Sequence, residues 1–133
     1  MRIRLMLACA GLVLVGCGAP GGYTLTVARG GQQLAAFDLA ALQALPQTRI
    51  TTPGTGNGGE QDEPGVVAVL EKAGAATFTG VAVTGDEGTR TFTAAEVAGA
   101  VLDITNRGTT KFASAGVGQD RWVHNVTTID VKP

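Results

Sequence analysis

The sequence predicts an α+β domain, a mixed β-sheet with short helices. Three observations carry that expectation. Short segments alternate apolar and polar side chains, as in Tyr23-Thr24-Leu25-Thr26-Val27 and again over residues 77–83. Turn-forming runs such as Arg29-Gly30-Gly31 and Gly85-Asp86-Glu87-Gly88 separate them. Helix-start signals fall between the strands, at Asp38 and at Thr93-Ala94-Ala95-Glu96. With 20 glycines in 133 residues and 5% aromatic content, the chain suits many turns and small core side chains.

Taken in order, residues 23–27 form a first strand, 29–31 a turn, and 32–37 a returning strand. Asp38 then caps a helix over 39–45, its carboxylate accepting from first-turn amides at the positive end of the helix dipole. Pro46 stops that helix and pushes Leu45 toward extended geometry. Residues 47–52 follow as a strand. The stretch 53–62, PGTGNGGEQD, has no apolar side chain and no period, and reads as a loop. Pro64 suits the first turn of a helix through Val66, Val67, Val69 and Leu70, closed by Gly74. Residues 77–83 alternate as a strand, and 85–88 turn it into a hairpin with 89–92. The capping box at Thr93 opens a short helix. Residues 101–105, 111–115 and 126–131 complete the strands, with Asn106-Arg107-Gly108 as a turn. No internal repeat is present.

The N-terminus carries a different signal. Met1-Arg2-Ile3-Arg4 precedes the apolar run LMLACAGLVLVG and then Cys17. A basic start and a short apolar stretch have the layout of a secretory signal, and the run is shorter than the roughly 20 apolar residues of a membrane span. Leu14-Val15-Gly16-Cys17 resembles the lipobox of bacterial lipoproteins. That resemblance implies cleavage before Cys17 and acylation of its thiol and new amine. Residues 1–16 are then a signal peptide, 17–22 a lipidated cysteine with a flexible tether, and 23–133 the domain. The expected location is the bacterial cell envelope, lipid-anchored, on the periplasmic or extracellular face. The other cysteine, Cys9, lies within the signal, so the exported chain has no disulfide.

The net charge of −1 becomes more negative once Arg2 and Arg4 are removed. Such a chain is a poor match for nucleic acid. The expected partners are the membrane, through the lipid anchor, and an envelope protein.

Four stretches resemble the oxidoreductase molybdopterin-binding domain, the fold of the sulfite oxidase superfamily. They are YTLTVARGGQQLAAFDLAALQALPQTRITT, GVVAVLEKAG, TFTGVAVTGDEGTRTFTAAEVAGAVL and RWVHNVTTIDV, which cover most of residues 23–131. The resemblance implies a mixed sheet closed by strands from both termini. It also implies a loop, here Pro53 to Gly58, in which the enzymes carry a molybdenum-ligating cysteine. Gly54 falls at that position and offers no soft sulfur to a metal. The segment that contributes to the family's cofactor pocket is shortened here to Asn106 through Gly116. The implied cofactor set is therefore none.

Three residues stand out as ligand-binding candidates. Asn57 lies in the glycine-rich loop, Arg121 beside the only tryptophan, and His124 is the only histidine. The alternation of His124 with Trp122 and Val126 places all three on one strand face. Glu60, Asp62 and Glu63 form an acidic group with no calcium-binding spacing and read as solvated. No metal site and no catalytic residues are expected. The leading reading is a non-catalytic binding or accessory module in a cell-envelope lipoprotein. Two alternatives stand beside it: a redox enzyme that holds a pterin, with the molybdenum cofactor, without cysteine ligation, and a structural or adhesion-type β-rich surface domain.

Overall fold

A computed structural model describes residues 22–51 and 60–133. Cys17, Gly54 and Asn57 lie outside the described residues. The chain forms ten strands and three short helices among those described: β1 (Leu25–Arg29), β2 (Gln32–Phe37), α1 (Leu39–Gln43), β3 (Gln47–Thr51), β4 (Glu60–Pro64), α2 (Val66–Lys72), β5 (Gly80–Gly85), β6 (Gly88–Thr93), α3 (Ala94–Ala98), β7 (Ala100–Ile104), β8 (Thr110–Ser114), β9 (Val123–His124) and β10 (Thr128–Lys132). A 3-10 turn, Gln119–Arg121, precedes β9. The α+β class and the mixed sheet are as the sequence predicts.

The largest sheet has the order β2-β1-β10-β5-β6. Its central pair, β1 and β10, runs parallel, and its other neighbours are antiparallel. Strands from the two ends of the domain thus meet in the middle of the sheet. One face is apolar: Leu25, Val27, Val81, Val83, Phe92, Ile129 and Val131 are all buried. The other presents a cross-strand row of threonines, Thr26, Thr128, Thr84 and Thr89, and is solvated. The β1–β2 turn needs two positive φ angles, and Gly30 (58°) and Gly31 (86°) supply them. Asp130 on β10 accepts from both glycine amides at 2.9 Å. Asp130→Ala leaves that turn without its anionic acceptor, and is expected to lower stability by about 1.5–3 kcal/mol in chemical denaturation.

A three-stranded sheet, β7-β8-β9, packs against the apolar face. Leu102, Phe112 and Val123 form one cross-strand row of this sheet and are buried. Phe112 stacks on Phe92 with ring centroids 4.3 Å apart, which joins the two sheets. Helix α2 adds Val66, Val69 and Leu70 to the same core, and α3 adds Val97. Both predicted caps are present. Asp38 accepts from the Ala41 amide, and Thr93 with Glu96 completes the reciprocal capping box.

The structure corrects several expectations. Residues 60–62, expected in a loop, belong to β4, which pairs antiparallel with β3 from Gln47↔Pro64 to Thr51↔Glu60. Partner pairing, not hydrophobic alternation, makes this polar segment a strand. Pro64 is the last residue of β4 rather than the first turn of a helix, and α2 opens at Val66 behind Gly65. Helix α1 ends at Gln43, short of Leu45. The strand expected at 126–131 begins at Thr128, because Asn125 adopts a left-handed φ of 51° and breaks the chain's extension. The three alternating residues also differ in exposure. Trp122 and Val126 are buried while His124 is exposed.

Candidate functional site

A polar concavity lies where three turns meet. The β5–β6 turn contributes Asp86, the β7–β8 turn contributes Asn106 and Arg107, and the residues around β9 contribute His124 and Asn125. Lys111 also lines the cleft, which has a volume of about 360 Å³.

Backbone pairing fixes these walls. The Asp86 amide donates to the His124 carbonyl at 2.8 Å, and the Val126 amide to the Thr110 carbonyl at 3.0 Å. Thr105 closes the β7–β8 turn, accepting from the Arg107 amide at 3.3 Å while its own amide donates to the Thr109 carbonyl at 2.9 Å. The left-handed Asn125 turns its side chain toward Asp86, and its amide donates to the Asp86 carboxylate at 3.2 Å.

Register then sets the chemistry. Asp103, Lys111 and His124 are direct cross-strand neighbours on β7, β8 and β9, so their side chains share the sheet face opposite the core. Lys111 Nζ lies 3.5 Å from the Asp103 carboxylate and 5.3 Å from the centre of the Trp122 ring. Trp122 is itself held by its indole N–H, which donates to the Val117 carbonyl at 3.0 Å.

At the other end of the row, Glu87 clamps His124 twice. One carboxylate oxygen accepts the His124 backbone amide at 2.8 Å, and the other meets Nδ1 of the imidazole. Its slight burial alone would raise the Glu87 pKa. The His124 amide and ring outweigh that and hold the carboxyl below its ordinary value. An ionised Glu87 selects the imidazole form that carries a proton on Nδ1.

A further carboxylate extends the row. An antiparallel bridge between Gly65 and Val101 brings β4 alongside β7, and Glu63 accepts the Ile104 amide at 3.1 Å. Burial raises the Glu63 pKa, the Ile104 hydrogen bond opposes the rise, and the nearby Asp103 carboxylate adds to it. A carboxyl whose folded pKa is raised contributes stability that is present below its unfolded value and lost as pH rises through the folded one. Glu63→Gln removes the ionisation and keeps an acceptor for Ile104. The variant is therefore expected to melt above the wild type at neutral pH, with the gap closing as pH falls into the carboxylate range. Thermal melts at several pH values check this, and a variant less stable at neutral pH would contradict it.

Of the candidates expected from sequence, His124 lies in the cleft and Asn57 lies outside the described residues. Arg121 is committed elsewhere. It donates to Glu96 at 2.8 Å and to the Thr91 carbonyl at 3.0 Å, and lies over the Phe92 ring at 4.9 Å. It ties the 3-10 turn to α3 and β6, and it holds the Glu96 carboxyl below its ordinary pKa. The residues that the sequence did not single out for the site are Glu87, Arg107, Lys111 and Asp103, while Glu63, read as part of a solvated acidic group, is instead half-buried and bonded to the Ile104 amide. Glu87 and Arg107 were legible in advance only as turn residues. No group of three or more His, Cys, Asp or Glu side chains suited to a metal is present among the described residues.

Comparison with protein-family models, with curated proteins and with solved structures finds no match to this chain.

Proposed function

We propose that this chain is a bacterial cell-envelope lipoprotein, anchored through acylated Cys17, whose domain is a non-catalytic binding module with a reduced molybdopterin-oxidoreductase-like fold. The cleft at His124 carries the binding part of this reading. Its lining groups are held by neighbours: His124 by Glu87, Lys111 by Asp103 and Trp122, and Asp86 by Asn125. Side chains fixed in this way form a preorganised surface that recognises a polar ligand at little entropic cost. The central parallel pairing of β1 with β10 supports the fold part, since the resemblance implies strands from both termini closing one mixed sheet. Glycine at position 54 supports the non-catalytic part.

Metal and pterin analysis of protein purified from a host that makes the molybdenum cofactor tests the reading. Protein free of molybdenum and pterin is the expected result, and stoichiometric molybdenum would overturn it. Cys17→Ser is expected to leave an unprocessed, unacylated precursor. Normal processing of that variant would remove the anchor from the reading.

A further inference from the structure

We infer that Lys111 and Asp103 join in an intramolecular amide, with Glu63 as the proton shuttle, so that β7 and β8 become covalently stapled beside the cleft. The inference goes beyond the binding reading above and does not depend on the lipid anchor, since it needs only the folded domain.

Three strands bring the three groups together. Asp103 on β7 and Lys111 on β8 are direct cross-strand partners, and Nζ lies 3.5 Å from a carboxylate oxygen of Asp103. The carboxyl carbon that an amine attacks is one bond from that oxygen, so the reacting groups are held in contact before any reaction. Glu63 comes from β4, which the Gly65–Val101 bridge brings alongside β7. It accepts the Ile104 amide at 3.1 Å, and its carboxyl hydrogen-bonds that of Asp103. Two carboxyls bond to each other only by sharing a proton, so an acidic hydrogen sits beside the reacting carbon. Burial raises the Glu63 pKa, in keeping with its holding that proton.

The surroundings favour the uncharged form of the pair. The Asp103 side chain is 9% exposed and that of Lys111 21%, and Nζ lies over the buried Trp122 ring. Water keeps an exposed ammonium and carboxylate ionised. In a buried pair, passing the proton from nitrogen to oxygen removes both charges and the cost of desolvating them. The ion pairs Arg49–Asp62 and Arg121–Glu96 have no such route, because a guanidinium stays protonated.

The step balances without a cofactor. Lys111 passes one proton to the Asp103 carboxylate, and the freed Nζ lone pair attacks its Cγ. One Asp103 oxygen takes the Glu63 proton and leaves as water. One of the two remaining amine protons then returns to Glu63. A C–N bond forms, a C–O bond breaks, and nothing is oxidised or reduced. Groups held in contact react at effective concentrations on the order of 10⁵ M or above, which offsets the unfavourable balance of amide formation in water. The chain from residue 17 onward has one cysteine and so no internal disulfide. The amide is a staple that such a chain can make from its own side chains.

Tryptic mapping of the full chain by mass spectrometry tests the inference. Cleavage after Arg90, Arg107, Lys111 and Arg121 gives linear peptides 91–107, 108–111 and 112–121 from an unlinked chain. The linked chain is not cut at Lys111. It is expected to give a branched peptide, 91–107 joined to 108–121, lighter than their sum by one water. Lys111→Arg keeps a cation beside Asp103 but is expected to give linear peptides only. In Glu63→Gln, sampled at intervals after a pulse of synthesis, linkage is expected to be at least about tenfold slower. A wild type that yields only linear peptides holds an ordinary ion pair, and the inference fails. Loss of water from 91–107 that persists in Lys111→Arg is a dehydration of Asp103 alone, and also overturns it. Linkage at the wild-type rate in Glu63→Gln does the same. The wild-type map is read without any variant, so a variant that fails to fold leaves the test intact. Melts that compare Glu63→Gln with Glu63 are run in the Lys111→Arg background, where neither chain carries the link.

Discussion

Replacing Phe112 with alanine is expected to destabilise the domain by about 3–5 kcal/mol, the range for truncating a fully buried aromatic. Phe112 is completely buried and stacks on Phe92 at 4.3 Å, so it makes a direct contact between the five-stranded and three-stranded sheets. Its truncation leaves a void between two layers that backbone hydrogen bonds hold in place, and such a void collapses only in part. Single domains of this size have about 5–15 kcal/mol in total, so the loss is a large share of stability. Chemical denaturation of the full-length protein measures it. Phe92→Ala is expected to cost a similar amount, and the double variant less than the sum, because the two rings lose the same contact. A Phe112→Ala protein within about 1 kcal/mol of the wild type would contradict the assignment of this ring to the inter-sheet core. The same row of β8 carries Lys111 on its opposite face, so loosening this packing is also expected to loosen the cleft.

Gly85→Ala is expected to disrupt the cleft directly. A β-carbon at Gly85 would fall onto the His124 carbonyl oxygen, 2.6 Å from Val123 Cγ1 and 3.1 Å from the Asn125 carbonyl oxygen. Two of these neighbours are backbone atoms of β9 and its exit, so no side-chain rotation relieves the contact. The strand must move, and the first bond to stretch is that from the Asp86 amide to the His124 carbonyl. Overpacking of this kind costs about 1–3 kcal/mol and sometimes more, and steric conflict with backbone puts Gly85→Ala at the upper end. Two measurements check it together. Denaturation should show the loss, and the His124 imidazole resonances should shift as the Glu87 clamp changes. An unchanged melting temperature with an unchanged imidazole spectrum would show that β9 does not approach β5 as closely as the structure has it.

The local elements were legible to different degrees, and the difference has a physical cause. The Gly30-Gly31 turn, the Asp38 cap and the Thr93–Glu96 capping box were all readable, because each is a contact between residues a few positions apart. The strands β1 and β5 were readable within a few residues from their alternation, and β2 and β6 from the turns that lead into them. β4 was not, since Glu60-Gln61-Asp62-Glu63-Pro64 contains no alternating apolar residue and becomes a strand only beside β3. The site divides in the same way. His124 drew attention as a lone titratable group, but its supposed companion Arg121 pairs with Glu96, a partner 25 residues away. Glu87 read as a turn residue and Lys111 as part of a strand, with nothing local to connect either with His124.

The sequence by itself determined the periods, the turns and the helix starts, and with them the α+β class. It also supplied the basic and apolar N-terminus ending in Cys17, on which the anchored reading depends. Only the tertiary structure decided which strands are neighbours and in what register. That register places Asp103, Lys111 and His124 in one cross-strand row, with Glu87 and Glu63 at its ends. The reason is energetic. Closing the chain between such distant residues costs conformational entropy that no local propensity repays. The repayment comes from the whole buried core, centred on Phe92 and Phe112, and therefore from every strand at once.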